Sequence, residues 1–180
     1  MNRCKWCNLK NKLYIDYHDN EWGVLNTNDH YLYEMLILES FQAGLSWECV
    51  LNKREEFRKC YDNFDIEKVC KCDELKINEL LNNKGIIRNR NKIKASISNS
   101  IIFKQIVNEY NSFYNYICLF TKGKIIYEEH KVTSPLSDAI SKDLIKRGMK
   151  FVGSVIIYSY LEAIGVINDH DKDCFLYTNH

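Results

Sequence analysis

The sequence predicts an all-α protein, and two observations support that class. Several long segments space their apolar residues at the helical period of three to four. A single proline and seven glycines are too few breakers for a β-sandwich or a disordered linker protein. Because 46% of the 180 residues are hydrophobic, the chain is long and apolar enough to bury a core. We therefore expect one domain over residues 1–180.

The elements follow in chain order. The segment up to about residue 27 is polar and aromatic, and we expect it to be irregular. An amphipathic helix is predicted from about 28 to 43, with Asn28 or Asp29 as its N-cap, and its apolar face carries Leu32, Met35, Leu36 and Leu38.

After a break at 43–46, the same criteria predict a helix over 47–60, short helices over 66–70 and 73–81, a turn at 82–85 and a long helix over 87–110. Further helices are predicted over 113–120, 137–148 and 152–164. The segment 121–133 is the least regular, and a small β-hairpin is expected around Gly123. The tail from 166 to 180 is expected to be irregular.

Charge and hydropathy limit the possible cellular location and binding partners of the protein. The N-terminus lacks the apolar core of a signal peptide, and no apolar run approaches the roughly 20 residues that cross a bilayer. We expect a cytoplasmic protein without a membrane segment. The net charge is +1, so binding to nucleic acid would require the positive charge to be concentrated on one face.

Residues 75–95 have the pattern of a helix-hairpin-helix. An amphipathic helix leads to a tight turn at Gly85, where the backbone is able to approach a phosphate, and the next helix opens with basic residues, namely Arg88, Arg90, Lys92 and Lys94. A second basic cluster comprises Lys142, Lys146, Arg147 and Lys150. The alternatives are an ordinary helical corner and a solvated helix face. Two clusters in a nearly neutral chain favour contacts with DNA phosphates.

A metal site is indicated near the two ends of the chain. His170 and Cys174 lie four residues apart in the tail, and Cys4 and His18 lie in the N-terminal segment. Two thiolates and two imidazoles would form a closed tetrahedral zinc site of the structural kind. Spacing alone does not distinguish this reading from unligated side chains, and the pair Cys4 and Cys7 is an alternative ligand pair.

A buried carboxylate and a group of aromatic residues indicate a pocket. Glu39 shares the apolar face of the 28–43 helix, where a carboxylate is costly without a partner or a ligand. Aromatic side chains cluster in the same quarter of the sequence, namely Trp6, Tyr14, Tyr17, Trp22 and Trp47. Such rings suit stacking on a flipped and cationic base. A glutamate at a helix edge and ordinary core packing are the alternatives.

Five segments, taken in order, resemble the 3-methyladenine DNA glycosylase I family, a bacterial branch of the helix-hairpin-helix glycosylases. They are Tyr17–Gly23, Gln42–Trp47, Gly85–Ile93, Lys146–Gly153 and Asn168–His170. The resemblance covers essentially the whole chain. It implies two helical lobes with the base pocket between them, and a zinc site that joins the terminal segments.

The resemblance also assigns residues. It implies that Cys4, His18, His170 and Cys174 bind one structural zinc ion, and it leaves Cys7 outside the site. It implies that Glu39 hydrogen-bonds the methylated base, that Tyr17 and Trp47 stack on it and that Trp6 and Trp22 complete the lining. Leu45 resembles the wedge that enters the gap left by the flipped nucleotide. Gly85, Arg88, Arg90, Lys92 and Lys146 are the expected DNA contacts.

The implied function is excision of 3-methyladenine from alkylated double-stranded DNA. The expected enzyme is a monomer that flips the damaged nucleotide, hydrolyses its N-glycosidic bond and releases the free base without a lyase step. Two rival interpretations are a non-catalytic DNA-binding module and a zinc hydrolase. The intact pocket residues disfavour the first, and a closed set of four zinc ligands disfavours the second.

Overall fold

Helices dominate the computed structural model, which describes residues 1–178. In chain order they are α1 Lys12–Asn20, α2 Asp29–Gln42, α3 Trp47–Leu51, α4 Arg54–Cys60, α5 Ile66–Val69, α6 Glu74–Asn82, α7 Arg90–Tyr110, α8 Phe113–Thr121, α9 Pro135–Lys146 and α10 Ser154–Ala163. The predicted all-α class is confirmed. None of the helices within residues 1–178 is long and apolar enough to cross a membrane. The last two residues of the predicted irregular tail lie outside the described residues.

Side-chain caps explain where several helices begin. The Asn28 side chain accepts hydrogen bonds from the first-turn amides of α2, as predicted. Ser134 and Ser137 form a reciprocal capping box at the start of α9. Asn89 caps α7, so this helix begins at Arg90 rather than at the predicted residue 87, and Arg88 lies in the preceding turn.

Helix α2 is the central element of the fold. Every residue from 32 to 41 is buried, so the predicted amphipathic pattern is wrong for this helix, which is enclosed on all sides. It packs against α3, α7, α8 and α10. Its buried Glu34 is neutralised by two arginines, since Arg54 Nε and Arg58 Nε donate to Glu34 Oε1 over 2.6 and 2.8 Å.

The N-terminal segment is more regular than predicted. Lys12–Asn20 forms α1, with Asn11 as its N-cap. Its buried face consists of Tyr14, Tyr17 and His18, at spacings of three and four residues. The prediction missed this helix because its buried side chains are aromatic and polar rather than aliphatic. The predicted 47–60 helix is also divided, into α3 and α4, at residues 52 and 53.

The only strands in the described part of the chain are two residues long. Strand β1, Ile126–Tyr127, pairs in parallel with β2, Ile167–Asn168, with Ile126 opposite Ile167. The predicted hairpin around Gly123 is therefore wrong, because the partner strand lies about forty residues further along the chain. This pairing also gives the start of the C-terminal tail a regular structure.

The N-terminal segment docks on the end of α10. The amides of Gly23 and Asn26 donate to the carbonyls of Glu162 and Ile164, each over 3.0 Å. Gly165 has φ of +71°, and a Cβ there would lie 2.1 Å from the Val24 carbonyl carbon, so only glycine permits this approach. Residues from both ends of the chain are thereby brought beside the central helix.

Candidate functional site

A cavity of about 260 Å³ lies where α1, α2, α3 and α10 meet. It is lined by Trp6, Tyr14, Tyr17, Trp22, Glu39, Gln42, Trp47, Ser159 and Glu162. The cavity thus brings together the predicted carboxylate Glu39 and all five aromatic residues predicted around it, namely Trp6, Tyr14, Tyr17, Trp22 and Trp47. The volume is just below the range of about 300–1,000 Å³ that is typical of sites for drug-sized ligands. It suits a single base better than a whole nucleotide.

The sequence prediction did not assign three of the lining residues, Gln42, Ser159 and Glu162, to the pocket. One of them, Gln42, has a helical spacing that could have revealed it. Gln42 follows Glu39 by three residues on α2, just as the predicted Tyr14 precedes Tyr17 by three on α1. Residues three apart share a helix face. Ser159 and Glu162 have the same spacing on α10, but no sequence signal placed that helix against the cavity.

Buried polar atoms without partners distinguish this cavity from a larger groove of about 540 Å³ near Tyr33 and Phe103. Among the described residues, four buried side-chain atoms have no hydrogen-bond partner, and three of them belong to Glu39, Gln42 and Trp47. More than nine in ten buried polar groups in proteins are hydrogen-bonded. Three exceptions in one cavity indicate that a ligand completes it.

The carboxyl group of Glu39 is the principal charge of the cavity. It is 2% exposed, and its Oε2 has no partner. Burial raises the pKa of this carboxyl well above its usual value. No basic side chain lines the cavity to compensate it. A cationic ligand would supply the missing charge and favour the ionised form.

Aromatic rings form the walls of the cavity. The Tyr17 and Trp47 rings lie 5.3 Å apart at an interplanar angle of 48°. A base held between two parallel rings needs about 7 Å between them, twice the van der Waals contact of about 3.5 Å. These two rings therefore form one corner of the cavity rather than opposite walls. Trp6 packs edge-on against Trp22, with ring centroids 4.8 Å apart.

A second carboxyl group, Glu162, lines the cavity from α10. Burial, together with a hydrogen bond to Asp169, raises its pKa well above the usual value. Asp169 lies behind this wall, where it accepts a hydrogen bond from the His130 amide over 2.8 Å. Asp169 does not line the cavity.

A buried arginine joins the Tyr17–Gly23 segment to the central helix. Arg54 is 6% exposed, and its Nη1 donates to both carboxylate oxygens of Glu21, over 3.0 and 2.7 Å. Its Nε donates to Glu34 on α2. Because each charge is paired, the network tolerates burial. It holds the wall that carries Tyr17 against the helix that carries Glu39.

A short exposed loop connects two lining residues of the cavity. Between Gln42 and Trp47, the amide of Leu45 donates to the Gln42 carbonyl over 2.6 Å, and the Ser46 side chain caps α3. Gly44 has φ of +77° with open space around it. Leu45 is 41% exposed despite its apolar side chain. An apolar residue is thus presented to solvent beside the pocket.

Lys92 points into the protein. It is 8% exposed, and its Nζ donates to the carbonyls of Phe41, over 2.9 Å, and Ala43, over 2.5 Å. It also lies 6.0 Å from the centre of the Phe151 ring. Burial lowers the pKa of its ammonium group. This placement does not fit the predicted contact with DNA phosphate, and Lys92 instead caps the C-terminal end of α2.

The other predicted DNA contacts fall into two groups. Arg88 and Lys146 are exposed and make no ion pair with another residue in the range 1–178. Arg90, by contrast, is paired with Glu74 on α6. At Gly85 a Cβ would lie 2.3 Å from Glu56 Cγ, so the turn packs tightly on α4. Close packing against Glu56 therefore favours glycine at position 85, in addition to any contact with DNA.

The four predicted metal ligands meet in a buried cluster. The candidate ligand atoms of Cys4, His18, His170 and Cys174 all lie within 4.8 Å of one another. Sulfur-to-nitrogen distances are 3.4 Å for Cys4 to His170 Nδ1, 3.5 Å for Cys174 to His18 Nε2 and 3.6 Å for Cys174 to His170 Nδ1. Tetrahedral zinc, with bonds of about 2.3 Å to sulfur and about 2.0 Å to nitrogen, would separate these atoms by about 3.5 Å. The donor set fits a metal ion.

The surroundings of this cluster also suit a metal. His18 Nδ1 lies 2.8 Å from the Asp19 carboxylate, as is usual for a histidine ligand. Burial lowers the pKa of His170 to about 4, so the imidazole is neutral and able to ligate. Burial raises the pKa of the Cys4 thiol, and a bound cation would counteract this shift by stabilising the thiolate. Cys7 lies outside the cluster, with its Sγ 3.7 Å from the Tyr14 carbonyl.

Comparison with known proteins agrees with this geometry. The methyladenine glycosylase family matches residues 6–177. DNA-3-methyladenine glycosylase 1 of Escherichia coli K12 is 42% identical over 98% of this chain and 97% of its own. A crystal structure of 3-methyladenine DNA glycosylase I superposes with a TM-score of 0.94 at 42% identity, covering 98% of this chain and all of that one. A variant of 3-methyladenine DNA glycosylase I, solved with 3-methyladenine, gives 0.93 at 31% identity over all of both chains. The chain belongs to the methyladenine glycosylase family.

Proposed function

We propose that this protein hydrolyses the N-glycosidic bond of 3-methyladenine in alkylated duplex DNA, releasing the free base and leaving an abasic site. The observation that carries the proposal is the buried carboxyl of Glu39, which has no partner in a base-sized aromatic cavity. Adenine methylated at N3 in DNA is planar and positively charged. It therefore matches both the walls of the cavity and its uncompensated acid.

The charge of the substrate also explains how the chemistry proceeds without a strong acid. Cleavage passes through an oxocarbenium-like state of the sugar, and a cationic purine leaves readily. Glu39 would bind the damaged base through the hydrogens on its nitrogen atoms, and Tyr17 and Trp47 would stack against it. A lyase step needs a lysine nucleophile, and no lysine lines the cavity. We therefore assign hydrolysis alone.

Access to the cavity requires base flipping, because a base within the duplex cannot enter it. We assign Leu45 as the wedge that fills the gap left by the extruded nucleotide, since it is exposed on the loop between Gln42 and Trp47. A damaged base unstacks more easily than an intact one, which adds selectivity before the pocket is reached.

The DNA backbone would be held by the 83–89 turn and by the end of α9. The amides of Ile86, Ile87 and Arg88 have no acceptor within the described residues and precede the start of α7. We assign this turn, with Gly85, as a helix-hairpin-helix phosphate site, supported by the charges of Arg88 and Lys146. Arg90 would contribute to DNA binding after it exchanges its ion-pair partner Glu74 for a phosphate. Lys92 supports the wedge loop from within.

The buried cluster at the chain ends would hold one structural zinc ion, with Cys4, His18, His170 and Cys174 as ligands. Its four protein ligands leave no open position for water, so the ion would take no part in the reaction. When bound, it would join the N-terminal segment to the tail. We further expect a cytoplasmic monomer.

The direct test is incubation of the purified protein with methylated duplex DNA, followed by chromatography of the released bases. We expect free 3-methyladenine with little 7-methylguanine, and a reduced yield for Glu39→Gln and Trp47→Ala. Glu55→Gln is the matched control, because Glu55 is exposed on α4 and pairs with Arg58. DNA binding without release of any base would refute the enzyme and favour a binding module.

A further inference from the structure

Two hydrogen-bond acceptors without partners lie one helical turn apart in the cavity. Glu39 Oε2 and Gln42 Oε1 are both buried, and neither has a partner within the described residues. Both side chains line the cavity from α2. The third such group is a donor, the indole N–H of Trp47. A ligand that satisfies the two oxygens must therefore offer hydrogen-bond donors to α2.

The 6-amino group of adenine carries two hydrogens, so two neighbouring acceptors would satisfy both of them. A purine with an oxygen at position 6 would instead direct lone pairs at two acceptors. Such a pairing leaves buried polar groups unsatisfied, which is the strongest basis on which a pocket rejects an analogue.

We propose that Gln42 is a specificity-determining residue that acts with Glu39 to bind the 6-amino group, and so selects adenine over 6-oxo purines. This proposal rests on the proposed function. An amide suits position 42 better than a carboxylate, because it provides an acceptor without adding a third acid to the cavity that Glu39 and Glu162 already line. The backbone of Gln42 is held independently, through its carbonyl bond to the Leu45 amide.

The test compares two free bases of nearly the same shape. Calorimetry would measure the binding of 3-methyladenine and of 3-methylhypoxanthine, which has an oxygen in place of the amino group, to the wild type and to Gln42→Met. We expect the wild type to prefer 3-methyladenine. In Gln42→Met, the affinity for 3-methyladenine should fall about tenfold while that for 3-methylhypoxanthine stays the same or rises. Gln105→Met is the matched control, since Gln105 is exposed on α7.

The ratio of the two affinities separates recognition from a general effect on folding. An equal loss of affinity for both bases would show that Gln42 only shapes the cavity, and an unchanged ratio at full affinity would show that it does not contact position 6. Either result overturns the inference while release of 3-methyladenine from DNA by the wild type still supports the proposed function. A wild type that neither binds nor releases 3-methyladenine would refute both.

Discussion

Replacing Glu39 with glutamine should make the protein more stable while impairing its activity. The carboxyl group is 2% exposed and has an unpartnered oxygen, and burial raises its pKa. The folded state therefore binds this proton more tightly than the unfolded state does. As the pH rises above the unfolded value of about 4.3, the folded protein loses stability relative to a variant that cannot ionise. This loss of stability arises because the buried carboxyl group is placed to bind a cationic base.

The size of the effect follows from the unpaired buried group. Leaving such a group unsatisfied costs about 1–3 kcal/mol. Glutamine keeps a neutral polar group in the same cavity, so we expect a gain near the lower end, about 1 kcal/mol. For a chain of this length, that gain corresponds to a rise in Tm of about 2–4 °C.

Thermal unfolding of the wild type and Glu39→Gln between pH 5 and pH 8 would measure this difference. The gap in Tm should widen as the pH rises, because Glu39 of the unfolded wild type loses its proton while the buried carboxyl of the folded wild type keeps it, and the glutamine variant has no such proton. The metal cluster is common to both proteins, so its own pH dependence cancels in the comparison. Glu55→Gln, at an exposed position, should show no such widening. A gap that is absent, or constant across this range, would refute the argument from burial.

The remaining predictions concern the supports of the site. Arg54→Met should lower the free energy of unfolding in urea by about 3–5 kcal/mol, because it leaves buried Glu34 with an incomplete set of partners; a loss below 1 kcal/mol would contradict a buried network. Lys92→Met should slow excision from duplex DNA more than it weakens binding of the free base, since it frees the end of α2 beside the wedge loop; equal losses would argue against that role. Leu45→Ala should reduce excision from duplex DNA and leave affinity for free 3-methyladenine unchanged, and a fall in both would place Leu45 in the pocket instead. Cys174→Ser should lower both the Tm and the zinc content measured by atomic absorption, and an unchanged zinc content would exclude Cys174 as a ligand.

Local patterns determined much of the helical architecture. The Asn28 cap and the apolar run after it predicted α2, and the predicted helices over 113–120 and 137–148 correspond to α8 and α9. Such patterns succeed because caps and periodicity act within a few residues. The motif residues of the pocket and of the metal cluster were also identified before any geometry was known, since they recur in fixed segments of the family.

Tertiary structure decided the direction of side chains and the contacts between distant segments. The sequence 88–92 contains three similar cations, but Arg88 faces solvent, Arg90 pairs with Glu74 and Lys92 is buried against α2. Their type alone does not distinguish them, because a long basic side chain is able to lie on a surface or cap a helix end. Strand β1 was missed for a related reason, since its partner is about forty residues away.

The chemical character of the cavity likewise depended on packing. From the sequence, Glu39 could equally have been a glutamate at a helix edge, and Gln42 was only part of a loop motif. Packing around the end of α2 removed water from one oxygen of each side chain and left that oxygen without a partner. Sequence therefore determined which chemical groups are present and which helices carry them. Only the tertiary structure decided which groups are desolvated, because the loss of water depends on neighbours that are distant in the chain.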